Sequence, residues 1–454
     1  MMSLLSVRWA LFGSLCVAPR ALALTLQKYN LVTCGELNES FDAAVFARDE
    51  AEYAELRTEN WSQTAWRNPS CIFQPTGLDQ LQEVMSLLVE SDVPFAIRSG
   101  GHSPAPNAAN IDDGILIDLS GFNEVEYDAS RNVAVVGSGL RWGEVYSQLD
   151  QFNVTVVGGR VLDVGVGGLI LGCGLSYLSG LYGLACDNVV NFEVEATTSV
   201  WGGLKGYSFD DLPALHEAML EYQTSTNDDY SNLMIQGFPS NRSVGAVVSM
   251  IYLKPEELPV AFAPFYGLNT TFDTMQVSSF TEFLSAQGVL GLPPRIDWTT
   301  SSFKPNQALY TALHEIVTES PALEKIYSVT AGSAAFGMQP ISTNVVEQGL
   351  ARGGNALGLS PEAQTWYVID SGWWFAEDDE FVHAATREVT NAGDEAASAE
   401  DSYVPYVFMN DASWDQVVIE HYGEENVRKL KEIQGKYDPD QVFQKLVPGG
   451  FKLP

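Results

Sequence analysis

Basic residues are scarce in this chain of 454 residues: 24 Lys and Arg stand against 58 Asp and Glu, which gives a formal net charge of -34. Phosphate backbones and anionic membrane surfaces are bound through basic surfaces, so this deficit argues against nucleic acid or a membrane as a partner. Charged residues make up only 18% of the chain and hydrophobic residues 46%. Such a composition is typical of a folded globular protein with two or three lobes.

Long hydrophobic runs are also lacking, and the short one at residues 9–18 cannot span a bilayer. It follows Arg8 and precedes Ala21-Leu22-Ala23, which is a small-x-small cleavage pattern. We therefore predict a signal peptide over residues 1–23 and export of the mature chain. Export agrees with five Asn-x-Ser/Thr sequons, which predict exposed, glycosylated loops at Asn38, Asn60, Asn153, Asn241 and Asn269.

Cysteine is rare, with five residues in all. Cys16 would leave with the signal peptide. In an exported chain Cys34 and Cys71 could bridge the polar N-terminal segment. Cys173 and Cys186 lie in glycine-rich and apolar sequence, where we expect buried free thiols.

The remaining sequence indicates an α+β fold in three blocks without internal repeats. The first block alternates helices, as at residues 78–91 and 140–149, with apolar strands at 93–98, 114–119 and 133–137. The second, from residue 200 to about 397, is richer in aromatic residues and includes strands and helices. The third, from about residue 398, contains a helix over residues 424–436.

A glycine turn directly follows the strand at residues 93–98. It reads Arg98-Ser99-Gly100-Gly101-His102-Ser103. Consecutive glycines expose backbone N–H groups that suit a diphosphate, and Arg98 and the serines add charge and donors. An imidazole is unusual in such a turn. On these residues alone, an ordinary turn with a solvated His102 is an equally good interpretation.

A second glycine-rich stretch includes Val164-Gly165-Val166-Gly167-Gly168 and continues past Gly174. Ile170 stands where a G-x-G-x-x-G pattern needs its third glycine, which disfavours a nicotinamide site. So many glycines in apolar sequence cost backbone entropy. The stretch therefore indicates that an extended cofactor approaches the backbone closely.

Together these stretches resemble the fungal berberine-bridge-enzyme-like FAD-linked oxidoreductases of the vanillyl-alcohol-oxidase class. The resemblance rests on four motifs: Arg98-Ser99-Gly100-Gly101-His102, Val164-Gly165-Val166-Gly167-Gly168, Tyr182-Gly183-Leu184 with Asp187-Asn188-Val189, and Lys436-Tyr437-Asp438-Pro439. It implies a two-subdomain FAD-binding domain of the p-cresol-methylhydroxylase (PCMH) type over residues 24–199. A substrate domain with an antiparallel sheet (200–397) and a C-terminal segment that returns to the FAD domain (398–454) would follow.

The resemblance also implies that His102 is bonded to the 8α-methyl carbon of FAD. Some relatives attach the flavin a second time, through a cysteine at the position of Val161, so a single link is expected here. The expected cofactor-binding residues are Arg98, Ser99, Gly100, Gly101, Ser103, Gly165, Val166, Gly167, Gly168, Gly174 and Asn410.

The proton acceptor is less well defined. Many relatives carry an Asn-Tyr pair where this chain has Asn410-Asp411. Asp411 could act as the base if burial raises its pKa, and Tyr406 is the alternative. For Asp411 itself, a turn-forming acid after a strand is the favoured interpretation. The isolated histidines, among them His383 and His421, are expected to be structural or solvated.

One departure from the family lies near Val194. Relatives continue there with a hairpin, a helix and an Asn-Phe-Gly-Ile-type segment that touches the flavin, and this chain lacks about one such unit, roughly forty to fifty residues. Either the reading frame is incomplete or the shortened domain is genuine and leaves an open sheet edge. The first is favoured, because natural deletions more often remove surface loops.

The sequence thus predicts a secreted FAD-linked oxidase of a small organic molecule, a secondary metabolite, with oxygen as the final acceptor. We expect a monomer without a metal site. Two alternatives stay open: a carbohydrate oxidase, and a flavin-free secreted binding protein.

Overall fold

The computed structural model describes residues 34–189, 199–225, 228–288 and 292–454. The predicted signal peptide and the expected departure near Val194 lie outside these ranges. The α-helices are α1 (residues 34–41), α2 (Tyr53–Leu56), α3 (Leu78–Glu90), α4 (Trp142–Leu149), α5 (Val166–Leu171), α6 (Ser179–Tyr182), α7 (Leu212–Ser225), α8 (Phe280–Ser285), α9 (Gln307–Glu319), α10 (Pro321–Tyr327), α11 (Thr343–Ala351), α12 (Asp379–Ala399), α13 (Glu424–Tyr437) and α14 (Val442–Lys445).

Fifteen strands are present in the described ranges, and they form three sheets. They are β1 (Val45–Ala47), β2 (Cys71–Phe73), β3 (Phe95–Arg98), β4 (Ile115–Asp118), β5 (Val125–Asp128), β6 (Val133–Val136), β7 (Val200–Tyr207), β8 (Ser231–Gly237), β9 (Ala246–Tyr252), β10 (Phe272–Asp273), β11 (Gln276–Ser278), β12 (Arg295–Phe303), β13 (Ser333–Ile341), β14 (Gln364–Trp373) and β15 (Tyr403–Val404).

The first sheet has the order β1-β2-β4-β3, with β2, β4 and β3 parallel. β2 and β4 are apolar and buried, as expected for parallel strands covered on both faces. The C-terminal segment packs against this sheet, because the Phe95 N–H donates to the Leu446 carbonyl over 2.9 Å. β3 ends at Arg98, so the sheet presents the glycine turn at its edge.

The second sheet is the two-stranded hairpin β5–β6. It lies with α4 and the glycine-rich α5–α6 region over a core that includes Trp142 and Tyr146. Ile251 of β9 and Phe283 of α8 belong to the same core. This part of the first half of the chain therefore packs against the third sheet through a shared apolar core.

The third sheet is antiparallel and contains nine strands. Its order is β10-β7-β9-β8-β13-β14-β12-β15, and β11 also pairs with β7. α7, α9, α10 and α12 cover one face and form the largest core cluster with it. Alternate residues on β12, β13 and β14 point to the opposite face, toward the glycine loops. β15 adds the C-terminal segment to one edge.

The bridge between Cys34 and Cys71 is present. The expectation of free thiols at Cys173 and Cys186 is wrong, because these residues form a second disulfide. Positive φ angles at Cys173 and Gly174 turn the chain back after α5, which brings the two sulfurs together despite the apolar surroundings. None of the helices in the described ranges is long and apolar enough to cross a membrane.

Candidate active site

The two glycine-rich stretches meet backbone to backbone. A Cβ atom on Gly100 would lie 2.5 Å from the Gly165 Cα, so neither position has room for a side chain. Ser99 ties the loops together: its Oγ donates to the Ser138 carbonyl over 2.6 Å and accepts from the Gly167 N–H over 3.1 Å. The predicted cofactor loops therefore form one continuous surface. Ser103 caps its own turn by accepting from the Ala105 N–H.

His102 lies in an aromatic stack next to this surface. Its ring stacks on Trp61 with centroids 4.4 Å apart, and the Trp298 ring lies 6.3 Å away. The segment around Trp61 is fixed to β12 because the Ile296 N–H donates to the Ser62 Oγ over 2.9 Å. Burial, reinforced by the positive charge of Arg141, lowers the pKa of His102 to about 4. The imidazole is therefore neutral at neutral pH and holds a fixed orientation.

Arg98 does not reach toward the glycine surface. Its guanidinium is buried and donates to Asp118, Glu59, the Leu56 carbonyl and Asn60. Four N–H groups donate in these contacts, and the guanidinium also forms an ion pair with Asp118. We therefore revise the expectation that Arg98 binds the diphosphate: the side chain anchors the turn that carries His102.

The same network contradicts the predicted glycosylation of Asn60. Asn60 is only 3% exposed. Its Oδ1 accepts from Arg98 and Asn110, and its side-chain Nδ2 donates to the Ala109 carbonyl over 3.2 Å. A sequon gives no information on burial, which is why the prediction failed. Asn38, Asn153, Asn241 and Asn269 are exposed.

Asn410 closes the site from the C-terminal segment. Its Nδ2 donates to the Leu169 carbonyl of α5 over 3.0 Å, and its side chain occupies the space where a residue at Gly172 would place a Cβ atom. Gly174 and Val166 pack into the protein: a Cβ atom on Gly174 would collide with Leu169, and Val166 is buried in the core that contains Trp142. Direct cofactor contacts at Gly174 and Val166 are therefore not apparent, whereas Gly168 has open space around its Cα.

Asp411 belongs to a polar group that links the two halves. Gln339 of β13 donates through Nε2 to the Asp411 Oδ2 over 2.8 Å and accepts from Arg160 of the first half of the chain. Burial raises the pKa of Asp411, and the Gln339 hydrogen bond and Arg160 work in the opposite direction. The carboxyl group is thus a candidate acid or base, as the sequence suggested, but already has partners.

Tyr406 is not suited to act as the base. Its ring is buried against Trp366 and Tyr422, and its hydroxyl has no hydrogen-bond partner among the described residues. Burial, followed by the nearby Tyr422 and Asp411, raises the Tyr406 pKa well above its usual value. The structure places this residue in the core of the C-terminal segment, and we withdraw it as a candidate.

The residues that sequence analysis missed lie on the inner face of the third sheet. Asp370 of β14 is directly opposite Trp298 of β12 and Ala335 of β13 in the strand register. Gln339 and Trp298 share this face. An acidic residue within the apolar stretch Trp366-Tyr367-Val368-Ile369-Asp370 was the available signal, because a strand interior seldom contains a carboxylate without a function.

These observations fit a bound FAD. The Gly100–Gly165 contact and the open space at Gly168 give a cofactor access to bare backbone, and His102 is neutral, partly accessible and makes no side-chain hydrogen bond to another described residue. A neutral imidazole has the free lone pair that bonding to a flavin methyl carbon requires. His102 would hold the ring, and the 99–103 and 165–168 loops would support the rest.

Sequence comparisons agree. A family profile described as FAD binding domain matches residues 69–198. A protein named FAD-dependent monooxygenase from Arthrobotrys oligospora is 32% identical, over 92% of this chain and 89% of its own length. The bifunctional solanapyrone synthase of Alternaria solani is 30% identical, over 90% and 87%.

The Arthrobotrys alignment also bears on the length of the chain. It extends over 467 positions but uses 92% of the 454 residues, about 418, so about 49 positions have no residue of this chain opposite them. This number agrees in size with the unit expected to be missing.

Solved structures show the same fold. The 6-hydroxy-D-nicotine oxidase of Arthrobacter nicotinovorans has a TM-score of 0.71 at 18% identity and covers 90% of this chain and 97% of that one. The xylooligosaccharide oxidase of Myceliophthora thermophila has a TM-score of 0.73 at 16% identity, with 93% and 99% covered.

Proposed function

Because the chain belongs to the berberine-bridge-enzyme-like family of FAD-dependent oxidoreductases, we propose that it carries FAD on a single covalent bond to His102 and oxidises a small secondary metabolite with oxygen as the acceptor. The observation that supports this most directly is the neutral, stacked His102 beside the Gly100–Gly165 contact. Val161 cannot form a thioether, and Cys173 is held in a disulfide, which supports a single link.

Bound FAD supplies a two-electron acceptor for the substrate. The protein's own residues position the reactants and handle the proton. Trp61 and Trp298 fix the imidazole plane, Asn410 fixes the C-terminal segment against α5, and the inner sheet face forms the opposite wall. The acceptor and the substrate class are part of the proposal. Relatives named as monooxygenases make incorporation of oxygen into the product the alternative outcome.

The test is direct. Protein secreted by a fungal host with ample riboflavin should be yellow, and the colour should stay with the polypeptide after acid precipitation. His102→Ala should release any flavin on denaturation, whereas the control His421→Ala should retain it. Flavin retained covalently in His102→Ala would refute the assigned link.

Oxygen uptake with 4-hydroxybenzyl alcohol and with cellobiose then separates the substrate classes. An oxidase forms one peroxide per oxygen consumed, whereas a monooxygenase places labelled oxygen in the product. Oxidation of cellobiose alone would favour the carbohydrate oxidase.

A flavin-free binding protein is the competing function. The exposed side chain of Leu171 (83%), which ends α5 in the glycine-rich region, and the small two-stranded β5–β6 sheet favour it. A colourless, folded and monodisperse protein would support this function and refute the enzyme.

A further inference from the structure

An unpaired carboxylate stands on the inner face of the third sheet. Asp370 is half-buried, and within the described residues it makes no hydrogen bond or ion pair. Burying a carboxyl group without partners is costly, and such a group is seldom retained without a role.

Strand alternation determines which way Asp370 faces. Ser371, the next residue, bonds to Thr386 of α12, so it points to the helix-covered face. Asp297 on β12 does the same through His383 of α12. Asp370 and its register partner Trp298 therefore point to the opposite face, toward the FAD-binding half.

Asp370 lies between the aromatic stack on His102 and the carboxyl group of Asp411. On one side Trp298 leads to Trp61, with ring centroids 5.4 Å apart, and from there to His102. On the other, Asp411 is close enough to influence its charge. Asp411 is bonded to Gln339, so Asp370 is the acid of this pair whose oxygens have no hydrogen-bond partner among the described residues.

We propose that Asp370 is the catalytic base that accepts the hydroxyl proton of the substrate. This rests on the proposed function. As the O–H proton passes to the Asp370 carboxylate, the adjacent carbon loses its hydrogen with the electron pair to the flavin. The substrate would become a carbonyl compound; bound FAD would supply the two-electron acceptor, and oxygen would be the final one. The substrate class is therefore an alcohol or hemiacetal with a C–H bond on the hydroxyl carbon.

Charges around Asp370 suit this role. Burial, then the negative charges of Asp411 on the inner face and Asp297 across the sheet, raises its pKa to about 7. Arg160, which is bonded to Gln339, lowers the pKa of Asp411. A base with a pKa near the working pH combines a large ionised fraction with useful basicity.

Sulfite provides a test that needs no substrate. It bleaches an accessible oxidised flavin reversibly, and as an anion it binds more weakly near a carboxylate. The ratio of the wild-type Kd to the Asp370→Asn Kd should be near 1 below about pH 6 and rise to about 10 above about pH 8. Because the ionisation of sulfite changes the Kd of both proteins by the same factor, it cancels in this ratio.

Two further variants sharpen the result. Asp411→Asn removes a neighbouring negative charge and should move the midpoint of the ratio to lower pH. Asp210→Asn, which removes an exposed charge, should leave sulfite binding unchanged. Asp370→Asn should fold normally, because it loses no bond; Asp370→Ala provides a second variant.

The rate of anaerobic flavin reduction is then measured with 4-hydroxybenzyl alcohol or cellobiose, whichever is oxidised. Asp370→Asn should lower this rate by about 10²–10⁴-fold and abolish its increase through pH 7. Asp370→Glu should restore part of the rate. A yellow protein whose sulfite ratio stays near 1 at every pH overturns the assignment of Asp370 alone. A colourless protein overturns the proposed function and this inference with it.

Discussion

Glycines only three residues apart have different tasks in the second glycine-rich stretch. Gly165 is pressed against the Gly100 backbone, whereas a Cβ atom on Gly168 would meet nothing within 4 Å. Gly165 must be a glycine because a side chain there would prevent the two glycine loops from meeting. No contact among the described residues requires a glycine at position 168. Either a bound molecule approaches this backbone closely, or the position accepts other residues.

Gly165→Ala and Gly168→Ala form a matched pair that separates these reasons. Gly165→Ala should destabilise the protein by about 1–3 kcal/mol through the backbone clash. Gly168→Ala, within α5, should stabilise the flavin-free His102→Ala background by about 0.5–1 kcal/mol. In the wild-type background it should nevertheless lower the flavin content, if Gly168 lines the cofactor. Thermal unfolding and the ratio of visible to protein absorbance measure the two effects; unchanged flavin content would remove Gly168 from the cofactor site.

At the scale of elements, one histidine of α12 bonds this helix to β12 and to the C-terminal segment, a connection we call the His383 clamp. His383 donates through Nδ1 to the Asp297 Oδ2 over 2.5 Å and through Nε2 to the Asp415 Oδ2 over 3.1 Å, and its ring stacks on Trp414. It thus joins α12, β12 and the segment after Asp411. Burial disfavours the charged ring, but the two carboxylates prevail and raise the pKa of His383 to about 9.

This clamp predicts a pH dependence of stability. The folded pKa of about 9 lies above the ordinary value of 6.5, so the stabilisation is complete below about pH 6.5 and is lost as the pH rises to about 9. The melting temperature should fall over that interval. His383→Gln should be less stable at pH 6 and show a shallower fall. His421→Gln should keep the wild-type slope, since the His421 Nδ1 has no hydrogen-bond partner in the part of the chain that the structure describes. Equal slopes in the two variants would contradict the role of His383.

The elements were largely predictable, and their long-range contacts were not. Periodicity indicated a helix at 78–91 and strands at 93–98 and 114–119, close to the observed α3, β3 and β4. The glycine motifs identified the loops that meet. Asp370, Gln339 and the Trp61–Trp298 contact depend on strand register and on packing between distant segments, which local patterns do not encode. The prediction of free thiols at Cys173 and Cys186 was wrong because their disulfide needs a positive φ angle at Cys173. Residues other than glycine seldom adopt that conformation, so no local pattern indicated it.

At the scale of the molecule, the site exists only where three parts of the chain meet. The first half supplies His102 and the glycine loops, the third sheet supplies Trp298 and Asp370, and the C-terminal segment supplies Asn410. Two kinds of contact hold these parts together: the core that contains Trp142 joins α4 to β9, and the Leu446 carbonyl accepts from the Phe95 N–H of β3. If the chain lacks the unit expected near Val194, these contacts would still hold the three parts together.

Export of the whole molecule can be tested through its sequons, four of which are exposed and one buried. We expect the protein secreted by a fungal host to begin at Leu24 and to carry glycans at Asn38, Asn153, Asn241 and Asn269. Asn60 should be unmodified, because a glycan there would displace the contacts to Arg98, Asn110 and the Ala109 carbonyl, and modified chains could not reach this fold. Glycopeptide mapping measures occupancy. Asn38→Gln should cost one glycan and little stability, whereas Asn60→Gln should cost no glycan and lower the melting temperature. An occupied Asn60 in folded, flavin-containing protein would mean that the network around Arg98 is wrong, and the support for His102 with it.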